Sequence, residues 1–504
     1  MQKIIETGIK KYFQLRKYKF ESWKKNALAS QDFILFDLLN TAGNTQFGQE
    51  HDFEHITSYK KFKDTIPVST YENIYPYIEK MLKGEQNILW PGFIQFFSKS
   101  SGTTNDVSKY IPVSHDALYK NNYSAGKDVY TIFFNNYKNS NLLENHGSVL
   151  SLGGSISQPN EKGIQIGDVS AIIMSQLPKW AGEYREPSIE VALMEHWKDK
   201  IPAIINDLKG KNITQISGIP TWFVSLFDEI KKQNPNISLA EMFPNMELFV
   251  HGAVAFEPYR ALFEDFFPSE NMKYLEVYNA TEGFFAIQDI PEKKGEMLLL
   301  TDHGIFYEFI SMDQYGTNNP KVIKLDDVVA GVDYAMIVTT NAGLWRYDIG
   351  DTICFTSLEP YRIKISGRTK HFINVFGEEL MVGNADSAIS EVSKKHNVSI
   401  ENYTAGPVFM DEHGKGGHEW LIEFKTGAVD ISTFAIDLDD SLKKLNSDYR
   451  AKRQDDIALQ LPIVHGIFAG TFEKWMESRG KLGAQNKVPR LSNKRDYIES
   501  LLEI

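Results

Sequence analysis

Between residues 148 and 278 short apolar runs alternate with amphipathic stretches, and no other feature of the chain restricts its fold as much. The runs at 148–152, 212–216, 248–250 and 274–278 read as strands. The helical patterns lie at 190–207, where Pro202 breaks or kinks the helix, and at 221–232 and 258–266. Strands that alternate with helices predict an α/β core. In such a sheet ligands gather beyond the carboxyl ends of the strands. One stretch, Tyr278-Asn279-Ala280-Thr281-Glu282-Gly283, follows the last of these strands directly. Its aromatic can stack on a base, its hydroxyl can bond a phosphate, and its carboxylate can hold a magnesium ion. The same residues would also serve as an ordinary strand-to-loop turn.

On either side the pattern changes. Residues 1–49 read as helices, and the first 25 are basic and amphipathic, with Ile4, Ile5, Ile9, Tyr12 and Phe13 against Lys3, Lys10, Lys11, Arg16 and Lys17. Such a helix is expected to pack on its own domain in preference to an anionic membrane. Residues 296–339 are strand-rich with tight turns and predict an appended barrel-like or antiparallel sheet. From residue 361 the order becomes β-α-β-β-α-β, the split βαβ arrangement of a small ferredoxin-like α+β domain. The expected domains are therefore 1–367 and 368–504, joined near Arg368.

With 504 residues the chain is too long for one ordinary core. Its net charge of −12 argues against a nucleic-acid-binding protein. A single cysteine, Cys354, excludes an intramolecular disulfide framework and suits a reducing compartment, with the cytoplasm as the expected location. No apolar run approaches the ~18 residues of a membrane span.

The stretch Lys99-Ser100-Ser101-Gly102-Thr103-Thr104-Asn105-Asp106-Val107-Ser108-Lys109 lies between two extended segments. Backbone N–H groups, hydroxyls and a lysine suit a polyanion such as the phosphates of ATP. A solvated hairpin turn has the same composition. It is no Walker A loop, which needs Gly, four residues and then Gly-Lys-Ser/Thr. Arg346-Tyr347-Asp348-Ile349-Gly350-Asp351 reads as either a ribose-binding acid behind a glycine or a plain Gly-Asp turn. His51 and His55 share a helix face, but Asp52 stands where a zinc protease carries Glu, and the pair is read as non-metal. His413 and His418 fall in a glycine-rich hairpin turn.

Taken in order, Ser-Ser-Gly-Thr-Thr closing on Lys109, Tyr-x-x-Thr-Glu, Tyr-x-x-Gly-Asp and Gly367-Arg368 resemble the adenylate-forming superfamily. More narrowly the chain resembles the auxin-responsive promoter family of acyl acid–amido synthetases. Phe47-Gly48-Gln49-Glu50-His51-Asp52-Phe53, Ile66-Pro67-Val68 with Tyr71-Glu72, Val250-His251-Gly252-Ala253 and Gln485-Asn486-Lys487-Val488-Pro489-Arg490 carry that narrower resemblance. It runs from about residue 40 to the end of the sequence.

The resemblance implies a ligase that adenylates a small carboxylic acid with ATP and Mg²⁺, then transfers the acyl group to an amine, with an amino acid as the expected acceptor. It implies that Ser100, Ser101, Gly102, Thr103 and Thr104 cradle phosphate. Lys109 would meet its β/γ end. Gly252, Ala253 and Tyr278, Asn279, Ala280 and Thr281 would face the nucleotide. Glu282 would hold Mg²⁺, Asp351 the ribose, and Arg368 the nucleotide near the hinge. Lys487, delivered by a mobile small domain, would be the second catalytic lysine beside Lys109. Tyr119, Tyr123 and Trp222 are the expected acyl-pocket aromatics. Three departures stand out: Asp106 and Asn279 replace common glycines, and Asp348 stands where a basic residue is frequent. Rival readings are a thiol acceptor in the second step and a degenerate nucleotide- or acyl-binding protein.

Overall fold

The apolar runs pair into one continuous sheet that forms the backbone of the molecule. The computed structural model describes residues 2–99, 109–194, 197–253, 256–369, 372–373, 378, 380–408, 416–427, 429–446, 449–450, 453, 459–480, 487–492 and 494–504. In chain order its strands are β1 (Phe96–Lys99), β2 (Tyr110–Val113), β3 (Ser148–Ser151), β4 (Gln165–Gly167), β5 (Arg185–Glu186), β6 (Ile213–Gly218), β7 (Leu248–Gly252), β8 (Lys273–Ala280), β9 (Gly283–Ile287) and β10 (Met297–Leu299). They continue as β11 (Ile305–Ser311), β12 (Val322–Lys324), β13 (Asp333–Thr340), β14 (Tyr347–Leu358), β15 (Tyr361–Arg368), β16 (Phe372–Ile373), β17 (Leu380–Met381), β18 (Ser399–Val408), β19 (Gly417–Thr426) and β20 (Ile463–Ile467).

Twelve strands form the large sheet, in the order β12-β11-β13-β14-β15-β10-β9-β8-β7-β6-β3-β5. From β5 to β8 the neighbours are parallel, as helix crossovers require. Helices Pro220–Gln233 and Glu257–Phe266 cover one face. Phe223, Phe227, Phe249 and Phe263 meet there, all fully buried. Pro220 does not break its helix, because it occupies the first turn, where its missing N–H costs nothing.

From β8 onward the pairing is antiparallel. The strand-rich region does not close into a barrel. β10 bonds β9 on one edge and β15 on the other, so its hydrogen bonds extend the open sheet. A separate sheet, β2-β1-β4, carries the antiparallel hairpin whose last rung is Lys99 with Tyr110. The stretch between them, 100–108, lies outside the described residues.

The N-terminal helix Gln2–Lys25 packs on its own domain. Phe13, Phe20 and Trp23 are buried against helix Tyr123–Asn136 and its neighbours. Arg16 Nε donates to Asp128 Oδ1 (3.0 Å), and His303 Nε2 bonds the other Asp128 oxygen (2.9 Å). The helix is rotated relative to the stripe read from the sequence, for Ile4, Ile5 and Tyr12 face solvent. Among the described residues no helix is long and apolar enough to cross a membrane.

The C-terminal region has its own core of Trp420, Phe434, Leu438, Leu442 and Ile389. Its sheet order is β18-β19-β20, with β18 and β19 antiparallel and β19 and β20 parallel. The expected first strand, from residue 361, joins the large sheet between β14 and β10 as Tyr361–Arg368 and not this one. Phe372 and Ile373 pair with Met381 and Leu380 in a two-stranded ladder.

Candidate active site

The site assembles where the parallel strands end. β7 ends at Gly252, and a Cβ there would lie 2.4 Å from the carbonyl oxygen of Val277 on β8. Only glycine allows the two strands to run this close. Ala253 follows with a left-handed φ of 71°, a conformation that costs an alanine energy and that clusters at functional sites. Its carbonyl accepts a hydrogen bond from Lys487 Nζ, 234 residues further along. The C-terminal lysine thus reaches the strand ends of the large domain.

Tyr278, Asn279 and Ala280 form the end of β8, and Thr281 and Glu282 make the turn into β9. The buried Tyr278 hydroxyl donates to Asp351 Oδ2 at 2.5 Å. Its ring packs on Phe285. Two motifs distant in sequence are therefore one unit. A register shift between Tyr278 and Asn279 turns Asn279, whose Oδ1 is a buried acceptor without a partner among the described residues. Asp351 lies on β14 opposite Arg368 of β15. That pairing fixes the Arg368 backbone beside the site.

Lys109 stands between two tyrosines. Its Nζ donates to the Tyr347 hydroxyl at 3.5 Å and lies 5.6 Å from the centre of the Tyr71 ring. The Tyr71 hydroxyl accepts from the Tyr110 backbone N–H (2.9 Å), which ties the start of β2 to helix Tyr71–Leu82. Burial, with Glu282 and Asp348 adding negative charge, pushes the Tyr347 hydroxyl far above its ordinary pKa and keeps it neutral. Ser69 pairs through its backbone with Arg346 and Asp348, so the N-terminal helices brace β14.

Asp348 makes a local turn: one oxygen accepts from Gly350 N–H (2.9 Å), the other from the Tyr315 hydroxyl (2.6 Å). Gly350 has a φ of 78° at that turn. Arg346 is not a ligand-facing cation. It is buried, donates from Nε and Nη2 to the two oxygens of Glu308 (2.8 and 2.9 Å), and reaches the carbonyls of Lys63 and Ile66. His51 bonds the Phe47 carbonyl and His55 bonds Asp52. His418 lies in β19, buried against Glu378, while His413 falls outside the described residues.

One cavity of about 2700 Å³ joins these groups. Lys109, Gly252, Ala253, Tyr278, Asn279, Ala280, Thr281, Glu282, Asp351 and Lys487 line it, and so do Tyr119, Tyr123 and Trp222. Tyr119 stacks on His115 (4.2 Å) and meets the edge of Tyr123, whose hydroxyl bonds the Ile173 carbonyl. These tyrosines leave a π-helical turn, Ala117–Asn122, a distortion common at functional sites. Ser100, Ser101, Gly102, Thr103 and Thr104 lie outside the described residues, as does the Arg368 side chain.

The sequence reading missed four lining or supporting groups. Tyr71 and Tyr347 flank Lys109 and were legible as aromatics within quoted motifs. His251 is buried on Phe256 with both ring nitrogens unpartnered among the described residues, and burial pulls its pKa down to about 3. Arg185 also lines the cavity, and no local pattern marks it.

A parallel sheet that turns antiparallel, with a small α+β domain delivering a lysine to the strand ends, is the fold of adenylate-forming ligases. A 2-hydroxyisobutyryl-CoA ligase in the postadenylation state matches it with a TM-score of 0.57 and 10% identity, over 95% of this chain and 90% of that one. The chain belongs to the GH3 family: residues 16–272, 298–368 and 383–496 match its N-terminal, central and C-terminal domains. The structure of GH3.15 acyl acid amido synthetase matches with a TM-score of 0.79 at 17% identity, covering 96% of this chain and 94% of that chain. The indole-3-acetic acid-amido synthetase GH3.4 of Arabidopsis thaliana is 23% identical over 95% of this chain and 91% of its own length. The 4-substituted benzoates-glutamate ligase GH3.12 of the same plant is 21% identical over 92% and 93%.

Proposed function

We propose that this chain is an ATP-dependent acyl acid amido synthetase. In the first step a carboxylate oxygen of the acid attacks the α-phosphorus of ATP and pyrophosphate leaves. In the second the nitrogen of an amine attacks the acyl carbon, AMP leaves, and the nitrogen loses a proton. An amino acid is the proposed amine, as the glutamate in the name of one relative suggests. The observation that carries the reading is the contact of Lys487 Nζ with the Ala253 carbonyl at the strand ends. A cation delivered there screens the repulsion between a carboxylate and a triphosphate as they meet.

The residue roles follow from that geometry. Lys109, held between Tyr71 and Tyr347, serves the β/γ-phosphates that the loop 100–104 cradles. The unpartnered Asn279 Oδ1 suits the exocyclic amine of adenine, and Asp351, oriented by Tyr278, takes the ribose hydroxyls. Gly252 and Ala253 give the nucleotide close backbone access, and Arg368 contacts it near the hinge. One carboxylate with phosphate oxygens is an ordinary Mg²⁺ donor set. Glu282, which lines the cavity, would hold that ion, which supplies charge screening. Tyr119, Tyr123 and Trp222 line the acyl end. The domain boundary falls after residue 367, and the segment beyond Arg368, whose backbone β15 holds in the large sheet, moves as the unit that carries Lys487. The half-buried single thiol of Cys354 suits the reducing cytoplasm.

The test is carboxylate-dependent ATP–pyrophosphate exchange with Mg²⁺ over a panel of aryl, indole and aliphatic acids. Lys487→Ala is expected to lower exchange about 10²–10³-fold, the usual loss when one transition-state donor is removed. Equal exchange by wild type and variant would remove Lys487 from the first step. Amino acids and coenzyme A, offered next, are expected to give an amide and no thioester.

A further inference from the structure

The cavity has a polar end to which the reaction as described gives no role. Arg185, on the edge strand β5, lines it and is only 8% exposed. In the sheet Arg185 is opposite Val149 of β3, and Val149 is opposite Gln215 of β6. Side chains on one rung share a face, and all three of these line the cavity. Gln215 is 4% exposed, and its Oε1 accepts from the Tyr130 hydroxyl at 3.2 Å.

Among the described residues the arginine is left with a donor in need of a partner. Its guanidinium Nη1 is a buried donor without an acceptor among the described residues. Glu186 and Glu190 are the carboxylates that reach it electrostatically. Glu186 is the next residue on the strand, so its side chain leaves the opposite face, and it is engaged by Lys211 at 2.6 Å. Burying a guanidinium with unmade hydrogen bonds is costly. A carboxylate that meets its planar fork removes that cost. The distance also fits a substrate end. β5 is three strands from β7, and the Gln215–Leu248 rung lies four residues before Gly252. That puts the Arg185 backbone about 14 Å across and about 13 Å back from the strand end that Lys487 reaches.

We propose that Arg185, with the amide N–H of the Gln215 side chain that the Tyr130 hydroxyl orients, forms a subsite for a second carboxylate, so that the preferred acid is a dicarboxylic one held at the end remote from the reacting carboxylate. This rests on the adenylation reading of the same cavity. The experiment pairs dicarboxylic acids from hexanedioate to dodecanedioate with the matching monocarboxylic acids, and phenylbutanoate with its para-carboxylate. Binding to the nucleotide-free full chain is measured by calorimetry, and KM by ATP–pyrophosphate exchange, for wild type, Arg185→Met and Arg185→Lys. At the best length the diacid is expected to bind wild type about tenfold more tightly than its partner. The ratio is expected to fall to about one in Arg185→Met and to recover in part in Arg185→Lys. A ratio near one in wild type at every length overturns the proposal, and needs no folded variant. A ratio that survives in Arg185→Met overturns it too. Exchange with no acid, while calorimetry keeps the preference, would sink the adenylation reading and leave the subsite standing.

Discussion

Tyr278 and Asp351 are 73 residues apart in sequence and share a 2.5 Å hydrogen bond. Each belongs to a motif that alone reads as a turn, and the contact turns two weak signals into one site. His251 shows the opposite case, a polar residue inside a quoted motif that serves as packing. It stacks on Phe256 at 4.0 Å, and burial holds its pKa at about 3. The unfolded chain protonates this imidazole below about pH 6.5 and the folded chain does not. The stability it contributes is therefore complete above about pH 6.5 and is lost as the pH falls toward 3. The loss runs at about 1.4 kcal/mol per pH unit. Between pH 7 and pH 5 the wild type is expected to lose about 2 kcal/mol more than His251→Leu in urea unfolding. Parallel losses in the two proteins would show that the imidazole titrates normally.

At the scale of elements, β14 carries Asp351 and is braced from beneath. Arg346, which enters it with a φ of 44°, is held by both oxygens of Glu308 on β11. Both side chains are almost wholly buried. Removing one partner of such a pair leaves a buried charge uncompensated, at a cost of about 3–5 kcal/mol. Glu308→Gln is expected to lower the unfolding free energy by that amount, read from urea denaturation. A loss below about 1 kcal/mol would mean that water replaces the carboxylate. The N-terminal helix obeys the same logic. Its heading is set by Arg16 on Asp128, which a hydrophobic stripe alone does not specify, and so Ile4 and Tyr12 end in solvent.

For the whole molecule, polar contacts join the C-terminal region to the rest of the chain. Lys425 meets Asp228 at 3.1 Å, and Lys394 meets Glu257 at 3.3 Å. The Arg490 guanidinium stacks over Tyr403 at 4.5 Å and reaches the Tyr259 hydroxyl at 3.5 Å. Interfaces of this polar kind permit domain motion, which suits the role proposed for Lys487. Asp228→Ala combined with Glu257→Ala is expected to raise the rate of limited proteolysis between residues 368 and 381 severalfold. The melting temperature is expected to shift little, since exposed ion pairs contribute little stability. An unchanged cleavage rate would show that these pairs do not hold the two regions together.

The sequence alone determined the parts whose signal is local. Alternating apolar and amphipathic stretches specify parallel strands with covering helices, and the ordered motifs around Lys109, Tyr278, Asp351 and Lys487 specify the family and the candidate site. What has no local signal was decided by tertiary structure. An open sheet and a barrel use identical strands, and only the pairing of β10 on both edges separates them. Asp348 and Arg346 look alike as charged residues beside a motif, and only their partners show that both are structural. Arg185 stands in an unremarkable stretch, and it acquires meaning because β5 joins the edge of a sheet that places it on the rung of Gln215. A charge is read by what surrounds it, and those surroundings come from strands distant along the chain.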